Sequence, residues 1–301
     1  MRAWLAIGAA LLGGCDIQRL TVELTGRVLV RASRSLESEP DVEVARAALP
    51  GQLKTIDGLL ETAPRDEDLL GLAALGFLQF AFGFVEDELE SQPLDGAHAT
   101  ERAVLVGRAT GLYDRSFAFA VRLLARRDPR IRDALAGDAA GLAEELARLD
   151  RRSVPGLFYA GAALASAINL NREDPSRAAD LPKAIALLSR ARALDPRFYH
   201  AGPPLILGLV YGLQPRSRGG QPERARRLLE EAIALTDGKY LLARVMLARA
   251  YAVSVGDRAL FASTLRAVLD APPDLAPDCR LSNELAKRRA ARYLAAEQSL
   301  F

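Results

Sequence analysis

One pattern of small and large apolar residues occurs twice in this chain, 41 residues apart. The apolar residues of each copy recur at three- and four-residue spacing, which places them on one face of an α-helix. Alanines stand where a second helix can pack closely, and leucines fill the space beside them. The matched residues are Ala184, Leu187, Leu188, Ala191, Ala193 and Leu194 in the first copy and Ala225, Leu228, Leu229, Ala232, Ala234 and Leu235 in the second. A more apolar segment follows each copy, at 198–213 and 239–255, so the sequence predicts a repeated pair of helices.

Repeated helix pairs favour a tetratricopeptide-like fold, although the usual period of that repeat is about 34 residues and this one is longer. Residues 53–84 are predicted to form a third, more divergent copy, and residues 103–124 a fourth. Runs of alternating β-branched residues, which would indicate strands, are nearly absent. We therefore predict an all-α fold, a tetratricopeptide-like α-α superhelix. Its helices are predicted near 18–37, 41–62, 66–90, 97–126, 138–151, 154–170, 180–194, 198–213, 222–235, 239–255, 257–270 and 278–297.

The first fifteen residues have the features of a bacterial lipoprotein signal. Arg2 precedes an apolar run at 3–12, which is too short to span a bilayer but long enough for the apolar part of a signal peptide. The run ends in Leu12-Gly13-Gly14-Cys15, which resembles the lipobox, where a cysteine thiol receives the diacylglyceryl group. The alternative is an ordinary secretory signal with a chance cysteine. We predict a signal peptide at 1–14, acylation of Cys15, a lipidated N-terminus with a leading helix at 15–40, and a helical domain at 41–301.

A second apolar stretch, at 69–85, could be taken for a membrane span. It covers only about 25 Å as a helix, less than the hydrocarbon layer of a bilayer, and acidic residues flank both ends. A buried core helix is the better interpretation. Glu86, Asp87, Glu88 and Glu90 follow it, and we expect this acidic run to end the helix in water. Contact with a partner or a cation is the alternative.

Catalytic and metal-binding motifs are missing from the sequence. Only two histidines occur, His98 and His200, and both lie at predicted helix starts, where capping or surface positions are expected. There is no zinc motif, nucleophile elbow or phosphate-binding loop. Cys279 is the only cysteine besides Cys15, so it is predicted to be a buried bystander without a disulfide. We therefore predict neither an enzyme nor a cofactor or metal.

Nucleic-acid binding is also not predicted. The formal net charge is only +2, and the arginine clusters are interleaved with acidic residues, which is typical of solvated helix faces.

The aromatic residues allow two interpretations. Phe77, Phe80 and Phe84 share a helix face by their spacing, and Tyr159 and Tyr211 belong to other strongly apolar helices. Packing in the core explains them most simply. The alternative is that these five residues line an apolar cavity between helix layers. They are our candidate site residues.

Beyond these patterns, most of the chain after the signal resembles one known family, the T-component of TRAP transporters (TatT). The resemblance is carried by the combination of several short stretches. They are Phe82-Gly83-Phe84-Val85-Glu86-Asp87, residues 102–113, Asp174-Pro175, Ala179-Asp180-Leu181-Pro182-Lys183, residues 190–196, Gly202-Pro203 with Leu207-Gly208, Gly219-Gly220-Gln221-Pro222-Glu223-Arg224-Ala225, Gly238-Lys239, Arg288-Arg289-Ala290 and Leu300-Phe301.

The resemblance implies a periplasmic lipoprotein with a tetratricopeptide-like fold that associates with the solute-binding component of a TRAP transporter, as a homo-oligomer, and handles apolar ligands. Our first hypothesis is accordingly an adaptor, anchored to the inner or outer membrane by its acyl chains, that docks a periplasmic solute-binding protein and holds or passes an apolar ligand. The alternative is a helical-repeat scaffold in envelope or outer-membrane assembly that binds no ligand.

Overall fold

Helix follows helix along the chain in the computed structural model, which describes residues 25–26, 28–33, 35–93 and 95–301. No β-strand occurs among these residues, so the predicted all-α class is confirmed. The residues described between 25 and 37 are helical and belong to the predicted leading helix. The predicted signal peptide and Cys15 lie outside the described residues.

Sixteen further α-helices follow in chain order among the described residues. They are α1 Val42–Thr62, α2 Glu67–Phe80, α3 Glu86–Ser91, α4 Ala99–Arg127, α5 Ile131–Ala136, α6 Ala139–Ala147, α7 Val154–Leu170, α8 Pro175–Ala178, α9 Leu181–Leu194, α10 Phe198–Leu213, α11 Pro222–Leu235, α12 Leu241–Met246, α13 Val253–Val255, α14 Arg258–Leu269, α15 Arg280–Ala295 and α16 Glu297–Leu300. Two π-helical segments, π1 Ala81–Val85 and π2 Leu247–Ala252, continue α2 into α3 and α12 into α13. Short 3-10 turns occupy Arg151–Ser153, Arg216–Arg218 and Pro277–Cys279.

Local sequence accounts for many of these boundaries. The Asp41 carboxylate accepts the backbone N–H of Glu43 at 2.8 Å, and it thereby satisfies one of the free donors at the start of α1. Helix α9 ends at Leu194, before Asp195 and its following proline, as predicted. Helix α11 begins with Pro222, whose fixed φ suits the first helical position.

The two matched segments form helices α9 and α11, and the matched positions pack alike. Leu188 of α9 lies against Gly161 of α7, where an added Cβ would come within 2.7 Å of the leucine Cγ. Leu229 of α11 lies against Gly208 of α10 with the same 2.7 Å spacing. The missing glycine side chains let the helix pairs approach closely. Four of the six matched positions in each copy are buried: Ala184, Leu187, Leu188 and Ala191, and Ala225, Leu228, Leu229 and Ala232.

Most helices pack on the next long helix in the chain, and the last long helix returns to the first. Each helix in the series α1, α2, α4, α7, α9, α10 and α11 packs on the next one in the series. Further along the chain, α14 packs on α15. Helix α15 then contacts α1, where the Arg288 guanidinium lies 2.7 Å from the Glu43 carboxylate. The buried apolar residues form two clusters. One is built mainly from α1 to α9 with parts of α10 and α11, and the other is centred on α12, π2, α14 and α15. Phe82 of π1 packs against both clusters and marks the seam between them.

Two helical stretches, Glu67–Ser91 and Arg151–Leu170, are long and apolar enough to cross a membrane by length and composition. In each, 72% of the apolar window is buried inside the protein, as in the core helix of a soluble domain. Three short helices, α5, α8 and α16, were not predicted, because four to six residues give too little apolar periodicity to recognise.

Candidate ligand-binding cavity

An apolar cavity of about 100 Å³ lies at the seam between the two core clusters. Its wall combines residues of the first cluster, such as Leu78 and Phe158, with residues of the second, such as Leu205 and Leu242. Leu36 of the leading helix also contributes to the wall. An apolar cavity of roughly 150 Å³ is enough to hold benzene, so this chamber suits a short apolar group.

Three departures from regular α-helix meet at this cavity. Segment π1 supplies Phe82 and Phe84 to the wall, and π2 begins directly after another wall residue, Met246. The third is a left-handed turn at the start of α10, where Tyr199 and Gly202 line the cavity. A π-helical turn holds an extra residue and changes the direction of the side chains around it, and such turns are frequent at functional sites.

The left-handed turn comprises Tyr199, His200 and Ala201, with φ of 47°, 54° and 57°. Each such non-glycine residue costs roughly 1–2 kcal/mol, so neighbouring contacts must hold the turn in place. The Tyr199 hydroxyl accepts a hydrogen bond from Gln79 Nε2 at 2.7 Å. The His200 ring stacks on Tyr240 with centroids 4.9 Å apart, so His200 is part of this aromatic contact and does not cap a helix.

The structure brings only one of the five predicted cavity residues into this wall. Phe84 lines the chamber. The other four rings lie elsewhere among the described residues: Phe77 stacks on Phe119 at 5.8 Å, Phe80 packs beside Phe84 at 5.8 Å, Tyr159 packs on Phe158 at 5.8 Å, and Tyr211 lies under the Arg224 guanidinium at 4.1 Å. The sequence therefore indicated three of the helices that form the chamber region, α2, α7 and α10, but not the wall residues Phe82, Tyr199 and Tyr240. Whether any of these residues binds a ligand stays a prediction.

A second, polar cavity of about 140 Å³ adjoins the apolar one. Both share wall residues, including Phe82, Ser166, Ile206, Met246 and Arg289. The polar cavity also holds five charged side chains: Glu86, Glu90, Arg172, Arg249 and Arg289. The two cavities are thus neighbouring compartments, one apolar and one charged.

The acidic run does not end in water, and the expectation from the sequence was wrong. Glu86 and Asp87 are buried. Helix α15 supplies the compensating charges: Arg292 forms an ion pair with Asp87 and another with Glu90, the latter at 3.0 Å. The sequence could not reveal these pairs, because about 200 residues separate the partners along the chain.

Glu86 has a different environment. It accepts a hydrogen bond from the hydroxyl of buried Tyr113. Burial is the main influence on this carboxyl, and it raises the pKa of Glu86 to about 7. At neutral pH this carboxyl is therefore divided between its charged and uncharged forms.

Arg289 separates the two compartments and is 1% exposed. Its Nη2 donates to the Phe82 carbonyl at 2.6 Å, and its guanidinium lies 4.0 Å from the centre of the Phe82 ring. Its Nε lies 3.8 Å from Asp87 and 3.7 Å from Glu90. Its Nη1 is buried and has no hydrogen-bond partner.

Among the described residues, no group of three or more histidine, cysteine or acidic side chains is arranged to hold a metal ion. Cys279 is buried, as predicted, and burial raises the pKa of its thiol to about 11. His98 caps α4 by position, and its ring lies 2.6 Å from the Asp95 carboxylate.

Comparison with known proteins identifies one family. Residues 38–301 match the family model described as TRAP transporter T-component. The chain is also similar to an uncharacterized protein of Treponema pallidum (strain Nichols), with 25% identity over 270 residues, which cover 89% of this chain and 83% of the relative.

Proposed function

This chain belongs to the TRAP transporter T-component family, and from that premise we propose that it is a membrane-anchored adaptor for the solute-binding protein of such a transporter. Family membership implies a transport-associated, non-enzymatic role at the cell envelope. The match over residues 38–301 is the observation that carries the proposal, because it spans nearly all of the described structure.

The proposed arrangement has two parts. Acyl chains on Cys15 hold the protein in the envelope membrane with residues 15–40 as the tether, and residues 41–301 form a tetratricopeptide-like superhelix in the periplasm, as a homo-oligomer. Each buried methylene of an acyl chain contributes about 0.8 kcal/mol, so two or three chains anchor the protein stably. Anchoring raises the effective concentration of a docked solute-binding protein near the membrane.

The ligand part of the proposal rests on the cavity. The apolar chamber is enclosed by aromatic and aliphatic side chains and joins a compartment with a few polar groups, which is the usual composition of a small-molecule site. We propose that an apolar ligand occupies the chamber while it is held or passed between the solute-binding protein and the membrane.

Affinity capture of the full-length acylated protein from membranes tests the adaptor role. The tagged protein is recovered in mild detergent after brief cross-linking, beside an unrelated lipoprotein with the same tag. A TRAP solute-binding protein enriched only with this chain supports the proposal. Recovery of envelope-assembly proteins without a solute-binding protein contradicts it and favours a scaffold.

A further inference from the structure

The positive charge of the polar compartment exceeds what its acids neutralise. Glu90 is matched by Arg292 at 3.0 Å and by the Tyr293 hydroxyl, also at 3.0 Å. Glu86 is bonded to the Tyr113 hydroxyl and ionises only around neutral pH, because burial raises its pKa. Neither acid is therefore free to neutralise the arginines on the opposite side of the compartment.

Those arginines are Arg172, in the turn after α7, and Arg249 of π2. Within the described ranges, neither forms an ion pair with a carboxylate. Arg172 Nε donates at 3.0 Å to the carbonyl and to the side-chain oxygen of Asn169, which fixes the guanidinium. Arg249 lies 5.9 Å from the centre of the Tyr293 ring.

The positive charges of Arg172 and Arg249 repel each other. Burial, the charge of Arg249 and that of Arg218 all lower the pKa of Arg172. The acid next to it, Glu173, points into solvent with its side chain 88% exposed, pairs with Arg218 and is screened by water. Two unpaired guanidinium groups on one cavity wall would be stabilised by an anion between them.

Arg289 supplies the third donor. Its Nη1 is fully buried without an acceptor, and an unmatched buried donor costs roughly 1–3 kcal/mol, more when it is charged. This arginine belongs to both walls, so an oxygen atom that satisfies Nη1 would lie at the junction of the compartments.

We propose that the two cavities form one site for an amphipathic monocarboxylate, with its carboxylate among Arg172, Arg249 and Arg289 and its apolar tail in the chamber beyond Phe82. The planar guanidinium fork matches a planar carboxylate. The chamber of about 100 Å³ takes the end of the tail, and the first methylenes lie with the carboxylate in the adjoining cavity of about 140 Å³. Together the two volumes suit a slender, medium-length chain. This inference rests on the proposed function, because it assumes that the chamber binds a ligand.

The test compares octanoate with 1-octanol, which has the same chain length without the charge. Binding is measured by titration calorimetry with the full-length protein in lipid nanodiscs, and empty nanodiscs give the background. We expect octanoate to bind at least about tenfold more tightly than octanol, since a charge-assisted hydrogen bond contributes roughly that factor.

Arg172→Gln and Arg249→Gln each remove one guanidinium at a partly exposed position, so folding is expected to be preserved; circular dichroism checks this. Each variant should weaken octanoate binding about tenfold and change octanol binding less than about twofold. Arg258→Gln is the matched control, because Arg258 is exposed and lies against Phe301, outside both cavities. It should leave both affinities unchanged.

The outcomes separate this inference from the proposed function. Octanoate binding that is no tighter than octanol binding, or that is unaffected by both variants, overturns the carboxylate site and leaves the apolar chamber intact. Absence of binding by both probes overturns the carboxylate site and the ligand part of the proposed function together. Capture of the solute-binding protein is a separate measurement and is independent of either result.

Discussion

Gly202 shows how closely the cavity wall is packed at the level of one residue. A Cβ at this position would lie 2.5 Å from Cζ of the Phe158 ring. An aromatic ring in a buried position cannot bend away, so the backbone of α10 would have to move. We expect Gly202→Ala to lower the free energy of unfolding by about 1–3 kcal/mol in urea denaturation.

The control for that substitution is Gly107→Ala in α4. No atom lies within 4 Å of a Cβ added at Gly107, and alanine favours helix over glycine. This variant should leave stability unchanged or raise it by up to about 1 kcal/mol. Equal effects of the two substitutions would show that contact with Phe158 does not constrain position 202.

Glu86 makes the free energy of unfolding depend on pH, and the sign of this dependence follows from the burial of its carboxyl group. Its ordinary pKa of 4.5 applies to the unfolded chain, whereas burial raises the pKa in the folded protein to about 7. Between these values the folded protein binds a proton that the unfolded chain has released. The contribution of Glu86 to stability is therefore complete below pH 4.5 and falls as the pH rises through 7, by about 3 kcal/mol in total.

Glu86→Gln removes this ionisation and keeps an acceptor for Tyr113. Unfolding free energies of both proteins should be measured between about pH 5 and pH 8, and the variant should gain relative to the natural chain as the pH rises. Burial lowers the pKa of His200, so this residue makes both proteins more stable as the pH rises, opposite in sign to Glu86. Because His200 contributes equally to the two curves, their difference isolates the effect of Glu86. Parallel curves would contradict the raised pKa.

At the scale of helices, the packing face of α9 can be tested with two alanines of the same helix. Ala191 is fully buried and Ala193 is exposed. Ala191→Leu should overpack the contact and lower the free energy of unfolding by about 1–3 kcal/mol. Ala193→Leu should change it by no more than about 0.5 kcal/mol. A melting temperature that is the same for both variants would show that the packing face is assigned incorrectly.

The helices also show which parts of the fold could be predicted from the sequence. Apolar periodicity and proline positions predicted the long helices to within a few residues, because the face that a helix buries is encoded locally. The π-helical segments were not predicted: residues 66–90 and 239–255 each looked like one regular helix. Tertiary contacts determine where an extra residue is accommodated in a helix, and no local pattern marks the position.

The left-handed turn was not predicted, and the environment of the acidic run was predicted incorrectly, for related reasons. Tyr199 and Ala201 are not residues that favour left-handed backbone. The contacts that hold the turn come from Gln79 and Tyr240, far away in the chain. The partners of Asp87 and Glu90 come from α15. The cavity is formed by these long-range contacts, so its wall could be predicted only in part.

For the whole molecule, α15 is the element that joins the start of the domain to its end. Arg288 pairs with Glu43 of α1, and Arg289 and Arg292 pair with the acidic run after π1. The second core cluster is therefore held against the first by both apolar packing and ion pairs. The cavities lie where these two halves meet, so ligand binding there would depend on the complete chain and not on any one helix pair.

The proposed acyl anchor limits how far this site can lie from the membrane. Leu36 is in the chamber wall and lies 21 residues after Cys15 in the sequence. Even with residues 15–25 fully extended, a helical segment from 25 to 36 places the wall at most roughly 50 Å from an acylated Cys15. The chamber would then remain near the bilayer surface, where a ligand could pass between a docked protein and the membrane.

Metabolic labelling with a fatty-acid analogue tests the anchor on which that distance depends. The natural chain should carry the label and sediment with membranes, whereas Cys15→Ser should lose the label, because a hydroxyl does not accept the diacylglyceryl group at this site. Cys279→Ser is the matched control: it removes the only other thiol, which is buried, and should keep both the label and the membrane fraction. Label retained by Cys15→Ser and lost from Cys279→Ser would place acylation at the far end of the chain, and the distance limit for the cavity would no longer hold.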